Sequence, residues 1–227
     1  MKKTVLFSLA TISLIGQPNF VLIGPPGCGK GTFSFFMINE KDYHQICLGD
    51  IIRFHKKNNT ETGKAIATNN GFVDDEMAYK IIRDEIHQCV ENKRSFIIDG
   101  FPRNIPAFEF LIKVFSEKDI NSSIVFVHFK IDDQTCIDRI CNRIVCFKCT
   151  EVFNTTTKKP KKEMICDSCN APLETREGEG IDATKKRLAY YREHTEPLVS
   201  QVNNSFKVIT IDAKSPMGDC LAFYKTI

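Results

Sequence analysis

Phe20-Val21-Leu22-Ile23-Gly24-Pro25-Pro26-Gly27-Cys28-Gly29-Lys30-Gly31-Thr32 passes from an apolar run, through a glycine-rich turn, to a lysine and a hydroxyl side chain. Its first four residues read as a fully buried strand, and Phe33–Asn39 beyond the loop can start a helix. A strand, a glycine loop and a helix in that order are the context a phosphate-binding loop requires. Glycines let backbone N–H groups approach phosphate oxygens with no Cβ in the way. The helix N-terminus adds the positive end of its dipole. Lys30 supplies a mobile point charge for β and γ phosphates, and Thr32 offers a hydroxyl near a Mg²⁺ ion. The bland alternative is a glycine turn that binds nothing; Lys30 and the strand before it argue against that.

Outward from this loop, apolar bursts alternate with helical stretches. Ser95–Ile98, Ile124–Phe129 and Phe206–Ile211 read as three more buried strands. Asp75–Glu91 and Ile105–Glu117 carry helical spacing. Buried strands separated by helices predict a parallel sheet covered on both faces. The 227 residues suffice for one such α/β core with an insertion, and are too few to favour two full domains. The one composition shift, rich in Cys, Lys, Thr and Glu, lies between Cys146 and Gly180 and reads as that insertion. Thirty-one Lys and Arg against 28 Asp and Glu leave a net charge of +3, which excludes a polycationic nucleic-acid binder. A local basic site for a small anion remains compatible with it. No apolar run is long enough to span a bilayer.

Further motifs follow in order: Leu48-Gly49-Asp50-Ile51-Ile52-Arg53, Asp99-Gly100-Phe101-Pro102-Arg103, Asp138-Arg139-Ile140 with Arg143, Arg176, Arg187-Leu188 and Thr195-Glu196-Pro197-Leu198. The glycine loop places Gly31 between the lysine and Thr32, where the generic loop has Ser or Thr directly after the lysine. In this the chain resembles the nucleoside monophosphate kinases, and the adenylate kinase family most of all, over about residues 20 to 213. The resemblance implies a P-loop parallel sheet with helices on both faces, a small helical acceptor lobe and a zinc-ribbon-like lid. It divides the chain into an extension (1–16), a core (17–46, 74–143 and 181–227), a lobe for the monophosphate (47–73) and a lid (144–180). The implied reaction is reversible transfer of a γ-phosphoryl group from Mg·ATP, or GTP, to AMP or another nucleoside monophosphate.

Such a reaction gathers several negative charges, and its catalysis is charge stabilisation and alignment. Arginine suits the task because its fork is planar and always charged. By resemblance, Arg53 and Arg103 hold the acceptor phosphate, Arg139 lies along the donor base, and Arg143, Arg176 and Arg187 gather round the transferring group. Lys30, Arg103, Arg143, Arg176 and Arg187 are then the catalytic set. The donor site is Gly27, Cys28, Gly29, Lys30, Gly31, Thr32, Arg139, Arg143, Val152 and Phe153; an aromatic at 153 can stack on a purine. The acceptor site is Leu48, Arg53, Gly71, Phe72, Val73, Gly100, Phe101, Pro102, Arg103, Ala107, Arg176 and Arg187. Asp99 closes a buried strand and can orient Mg²⁺ through its water shell together with Thr32; the alternative is a cap for the Gly100 turn.

Cys146-x-x-Cys149 and Cys166-x-x-Cys169 place four thiolates at the spacing of a closed structural Zn²⁺ site, which also matches the lid of the long, zinc-type adenylate kinases. The other six of the ten cysteines show no paired spacing and read as free thiols, which fits a reducing compartment, the cytoplasm, better than a secreted protein. Against that stands the N-terminus, where Lys2-Lys3 precede the apolar run Val5–Ile15, the outline of a targeting segment with a poor cleavage signal. An edge strand or greasy helix is the other reading; Gln17-Pro18-Asn19 ends the run either way. Lys158-Lys159-Pro160-Lys161-Lys162 reads as a solvated loop rather than a nucleic-acid contact. The expected partners are nucleotides alone, and the expected state is a monomer.

Three departures from the family pattern cluster in the acceptor lobe. Leu48 stands where the family usually has Thr, Ala107 where it has Gln, and the stretch from Gly63-Lys64 to Val73-Asp74-Asp75 is shorter. Losing polar groups that face a base weakens discrimination more than phosphate binding. In the lid, Gly178-Glu179 keeps one carboxylate of a usual acidic pair. A nucleotide-binding regulator with little turnover is therefore the rival reading, and a zinc-ribbon nucleic-acid module on an NTPase core a more distant one.

Overall fold

A computed structural model describes residues 17–58, 60–68 (backbone alone from 65), 74–176 and 179–214. The expected extension 1–16 and the acceptor residues Gly71, Phe72 and Val73 lie outside the described residues. The elements run Asn19–Ile23 (β1), Lys30–Lys41 (α1), His44–Cys47 (β2), Leu48–Lys57 (α2), Glu61–Thr68 (α3), Asp75–Glu91 (α4), Phe96–Asp99 (β3) and Ile105–Glu117 (α5). Then follow Ile124–Lys130 (β4), Asp133–Cys141 (α6), Arg143–Val145 (β5), Val152–Asn154 (β6), Ile181–Tyr190 (α7), a π-helical turn Tyr191–Thr195, Leu198–Ser205 (α8) and Lys207–Asp212 (β7).

Five strands form one parallel sheet in the order β2-β3-β1-β4-β7. The period of two along each strand sends alternate side chains to opposite faces. Val21, Ile23, Ile98 and Phe126 meet Ile82 and Ile86 of α4, Leu111 of α5 and Val202 of α8. Phe20, Leu22, Ile97 and Val127 meet Phe33 and Met37 of α1, Cys136 of α6 and Leu188 of α7. Because both faces are covered, the strands read as unbroken apolar runs, not alternating ones. Phe20 and Phe33 pack edge to face with ring centroids 5.6 Å apart, so the helix after the glycine loop is anchored to the strand before it.

The polar residues at helix starts explain why α4 and α5 begin where sequence spacing puts them. Asp74 accepts a hydrogen bond from the Met77 amide at 2.8 Å, and Asn104 accepts one from the Ala107 amide at 2.9 Å. Asp132 caps α6 in the same way through the Thr135 amide. One strand of this sheet escapes the sequence reading: β2 has four residues, of which only Ile46 is buried. Its register is nonetheless decisive, because Cys47 lies opposite Asp99, and Asp99 opposite Leu22. The C-terminal ends of β2, β3 and β1 therefore open side by side, with β1 flanked by β3 and β4, which is where open α/β sheets bind ligands.

Beyond α6 the chain leaves the sheet. β5 and β6 form a separate antiparallel pair, and Ile144, Cys146, Phe153, Cys166 and Leu173 make a small core of their own. No helix of the described residues is long and apolar enough to cross a membrane.

Candidate active site

The glycine loop runs from the end of β1 to the first turn of α1. Gly27 has φ +82°, and a Cβ there would stand 2.8 Å from the Cys136 carbonyl, so both backbone and space demand glycine. Gly29 has φ +109° and starts α1 without a side-chain cap. The amides of Thr32 and Phe33 are given to the Gly29 carbonyl, so those of Lys30 and Gly31 are left to a ligand. A Cβ at Gly31 would meet nothing within 4 Å, which leaves open space over the loop for an anion. Lys30 Nζ donates to the carbonyls of Gly24 at 2.7 Å and Pro25 at 3.0 Å, and lies 3.5 Å from Cys28 Sγ.

Next to it, Asp99 closes β3. Burial pushes its carboxyl above the ordinary value; Lys30 opposes that shift, Asp50 adds to it, and Arg103 and Arg176 oppose it. Cys47, across the register, has its thiol pushed up to about 12 by burial and then by Asp99 and Asp50. Asp50 pairs with Arg53 one turn along α2. Arg103 Nε donates to the Gly100 carbonyl at 2.8 Å, and Thr195 Oγ1 donates to the Arg103 carbonyl at 2.7 Å. The π-helical turn so ties the Asp-Gly-Phe-Pro-Arg loop to the far end of α7.

All of this faces one cleft of about 1110 Å³. Lys30, Arg53, Arg103, Arg139, Arg143, Arg176 and Arg187 line it, though they come from six separate stretches of the chain. Lys158, Lys186 and Lys214 line it as well, while Asp50 and Asp99 are the only carboxylates on its wall among the described residues. The crowding is felt: burial, then the neighbouring Arg143, lowers the guanidinium pKa of both Arg176 and Arg187. Arg143 is paired with Glu179, whereas the buried Nε of Arg176 has no partner. Such a concentration of cations in a protein of net charge +3 is a site for several phosphates.

Gly27, Gly29, Gly31, Thr32, Gly100, Pro102, Val152 and Phe153 also line the cleft. Four expected site residues do not. Cys28 is buried, its thiol beside the place where a Gly24 Cβ would stand. Phe101 and Ala107 belong to the main apolar cluster, and Leu48 packs against it. Small or apolar side chains at 48 and 107 lie with the core, and neither reaches the cleft wall. Cleft residues that the sequence reading did not single out include Gln45, Cys47 and Tyr191, and Lys158, from the run read as a solvated loop, lines it too. The unrecognised strand β2 hid the first two.

In the lid, the sulfur atoms of Cys146, Cys149, Cys166 and Cys169 all lie within 4.8 Å of one another. Cys146 Sγ and Cys169 Sγ are 3.4 Å apart, and Cys149 Sγ and Cys166 Sγ 3.5 Å. Tetrahedral Zn–S bonds of about 2.3 Å need S···S edges near about 3.8 Å, so the donor set fits that ion. The two pairs fold alike. Thr150 N donates to Cys146 O and Cys146 N to Glu151 O; Asn170 N donates to Cys166 O and Cys166 N to Ala171 O. Burial opposes ionisation of Cys146, but amides of Cys149 and Lys148 and the thiols of Cys169 and Cys149 hold its pKa at about 7.

A phosphate loop at the switch point of a parallel sheet, facing arginines carried by a separate lid, defines a P-loop phosphotransferase acting on nucleotides. The adenylate kinase family model matches residues 22–207. An adenylate kinase of Treponema denticola is 34% identical over 213 residues, covering 91% of this chain and 97% of that protein. One of Caldanaerobacter subterraneus is 33% identical, covering 88% and 90%, and one of Methanosarcina mazei 32% identical, covering 86% and 90%. The chain belongs to the adenylate kinase family, whose members are phosphotransferases.

Proposed function

We propose that the cleft transfers the γ-phosphoryl group of Mg·ATP to AMP, giving two ADP, with the donor between the glycine loop and the lid and the acceptor between α2 and the Gly100 loop. The observation that carries this reading is the convergence of Lys30 and six arginines on one cleft. The Lys30 side chain and the amides of Lys30 and Gly31 hold the donor phosphates. Arg53 and Arg103 hold the acceptor phosphate. Arg143, Arg176 and Arg187 stabilise the charge that spreads over the transferring oxygens; removing one such preorganised donor costs about 10²–10³ in rate. Bound Mg²⁺ supplies charge neutralisation between the β and γ phosphates. Asp99 and Thr32, which line the cleft, would hold its water shell.

The four lid cysteines hold one structural Zn²⁺. A closed four-sulfur shell leaves no open position for chemistry, so its task is to keep the lid folded. The protein works as a monomer in the cytoplasm. Acceptor selectivity is loose, because Leu48 and Ala107 lie in the apolar cluster and offer no polar atom to a base edge. A coupled assay with ATP against AMP, GMP, CMP and UMP tests the reading. Turnover highest with AMP and measurable with at least one other monophosphate is expected. No turnover with any of the four would leave a nucleotide-binding regulator.

A further inference from the structure

Thr195 stands where packing alone asks for an apolar side chain. Leu188, Tyr191, Thr195, Leu198 and Val202 follow one another at helical spacing through α7, the π-helical turn and α8, and all five are buried. A threonine inside a helix ordinarily turns its hydroxyl back to a carbonyl of the preceding turn. Thr195 Oγ1 instead donates at 2.7 Å to the carbonyl of Arg103, 92 residues away in the chain. The helical ladder is itself displaced here. Glu196 N donates to Tyr191 O at 2.8 Å, five residues back, and Pro197 brings no N–H to continue the ladder.

The turn that carries this hydroxyl is braced from its other side. Arg192 Nε and Nη2 donate to Asp133 Oδ1 at 3.0 and 2.6 Å, and Nη2 also to the Ile131 carbonyl at 3.0 Å. Arg192 Nη1 donates to Glu196 Oε1 at 2.6 Å, and the guanidinium lies 5.5 Å from the centroid of the Tyr191 ring. Asp133 opens α6, the helix that carries Arg139. The turn is therefore a bracket, fixed at one end to the start of α6 and at the other to the Arg103 backbone. The Arg103 side chain folds back on its own loop, Nε donating to the Gly100 carbonyl at 2.8 Å. The direction of its guanidinium thus follows the backbone from Gly100 to Arg103. Asn104 caps α5 just beyond that backbone, and Thr195 holds its carbonyl.

We propose that Thr195 is a positioning residue for the acceptor phosphate, acting through the Arg103 carbonyl, and that Arg192 holds the π-helical turn in place for it. The inference rests on the assignment of Arg103 to the acceptor phosphate. A misplacement of about 1 Å at a reacting site can cost about 10² in rate, so a hydroxyl behind the arginine has leverage on a nucleotide it need not touch. Donor binding, which Lys30 and the glycine loop carry, is spared.

Steady-state kinetics with AMP and Mg·ATP, and calorimetric titration of AMP, test it. The proteins are the wild type, Thr195→Val, Thr195→Ser, Arg192→Met, Arg103→Ala and the double variant of Thr195→Val with Arg103→Ala. Valine keeps the shape and removes the hydroxyl; serine keeps the hydroxyl. Thr195→Val should raise the KM for AMP about fivefold to tenfold and that for Mg·ATP less than about twofold. Thr195→Ser should stay within about twofold of the wild type for both. Arg192→Met should raise the KM for AMP about threefold, through a loosened turn. Arg103→Ala should weaken AMP binding at least about tenfold. On that background Thr195→Val should change AMP affinity less than about twofold, because the side chain through which it acts is gone. A threonine with a structural role alone would lower Tm and affect both substrates alike. An unchanged KM for AMP in Thr195→Val or Arg192→Met, an equal rise for both substrates, or the same loss of AMP affinity with and without the Arg103 side chain overturns the inference. If Arg103→Ala weakens AMP binding while Thr195→Val does not, this inference alone fails; if Arg103→Ala leaves AMP affinity unchanged, the acceptor assignment beneath it fails.

Discussion

The glycine loop and the lid deliver cations to the same cleft by opposite means. The loop hangs from β1, whose five residues are all buried, and its helix is pinned by Phe33 against Phe20. The lid has three-residue strands, five fully buried side chains in its own core, and four clustered thiols. Where a sheet holds the charge, position is fixed by burial; truncating a buried aromatic of this kind costs about 3–5 kcal/mol. Where four thiols stand ready for one metal ion, a short segment can gain a fixed shape without a large core.

Each half can be broken alone. Lys30→Met should show the largest effect: a loss of at least about 10³ in kcat, with Tm unchanged, because the lysine charge matters only against phosphates. Near wild-type turnover in a coupled assay would dismiss the loop assignment. Cys166→Ser should do the reverse. It should cost about 4 kcal/mol of stability, or about 10 °C in Tm for a chain of this size, while activity at low temperature falls much less. Calorimetric scans beside metal analysis check this, and protein made without chelator that carries no zinc contradicts it.

Asp99 sharpens the comparison where the loop meets the sheet. Burial raises its pKa in the folded state above the ordinary carboxyl value of 3.8, so its own contribution to stability rises as pH falls from above the raised value toward 3.8. Asp99→Asn should therefore leave Tm equal or slightly higher while kcat falls about a hundredfold. The acid limb of the kcat/KM profile for Mg·ATP should likewise lie above pH 3.8, since that profile reports the free enzyme. A limb at or below 3.8 would remove Asp99 from the site. The smallest effect concerns the acceptor side. Ala107→Gln should lower Tm, because its amide would be buried without a partner among Phe101, Phe108 and Leu111, and leave the KM for ATP unchanged. An unchanged Tm with a lowered KM for AMP would mean that position 107 reaches the acceptor site after all.

The strands with long apolar runs were legible because both sheet faces are buried. The helix limits of α4 and α5 were legible because Asp74 and Asn104 cap them. β2 was not, since His44, Gln45 and Cys47 carry no strand pattern and its place is set by pairing with β3. The phosphate loop, the arginines and the cysteine pairs announce their chemistry by residue type and spacing. Phe153 shows the limit of such reading. An aromatic at a base site suggests stacking, and only the packed lid reveals that Lys158 lies over the ring. Leu48 and Ala107 drew attention as departures from a pattern, and their placement in the core needed the fold.

The central claim is that cations carried by the sheet and by the four-cysteine lid serve one cleft that takes two nucleotides together. Isothermal titration with a molecule joining two adenosines through five phosphates tests it most directly. One molecule should bind per chain, far more tightly than ATP or AMP alone, because both halves are engaged at once. Affinity no better than that of ATP alone, or two molecules bound per chain, would contradict it.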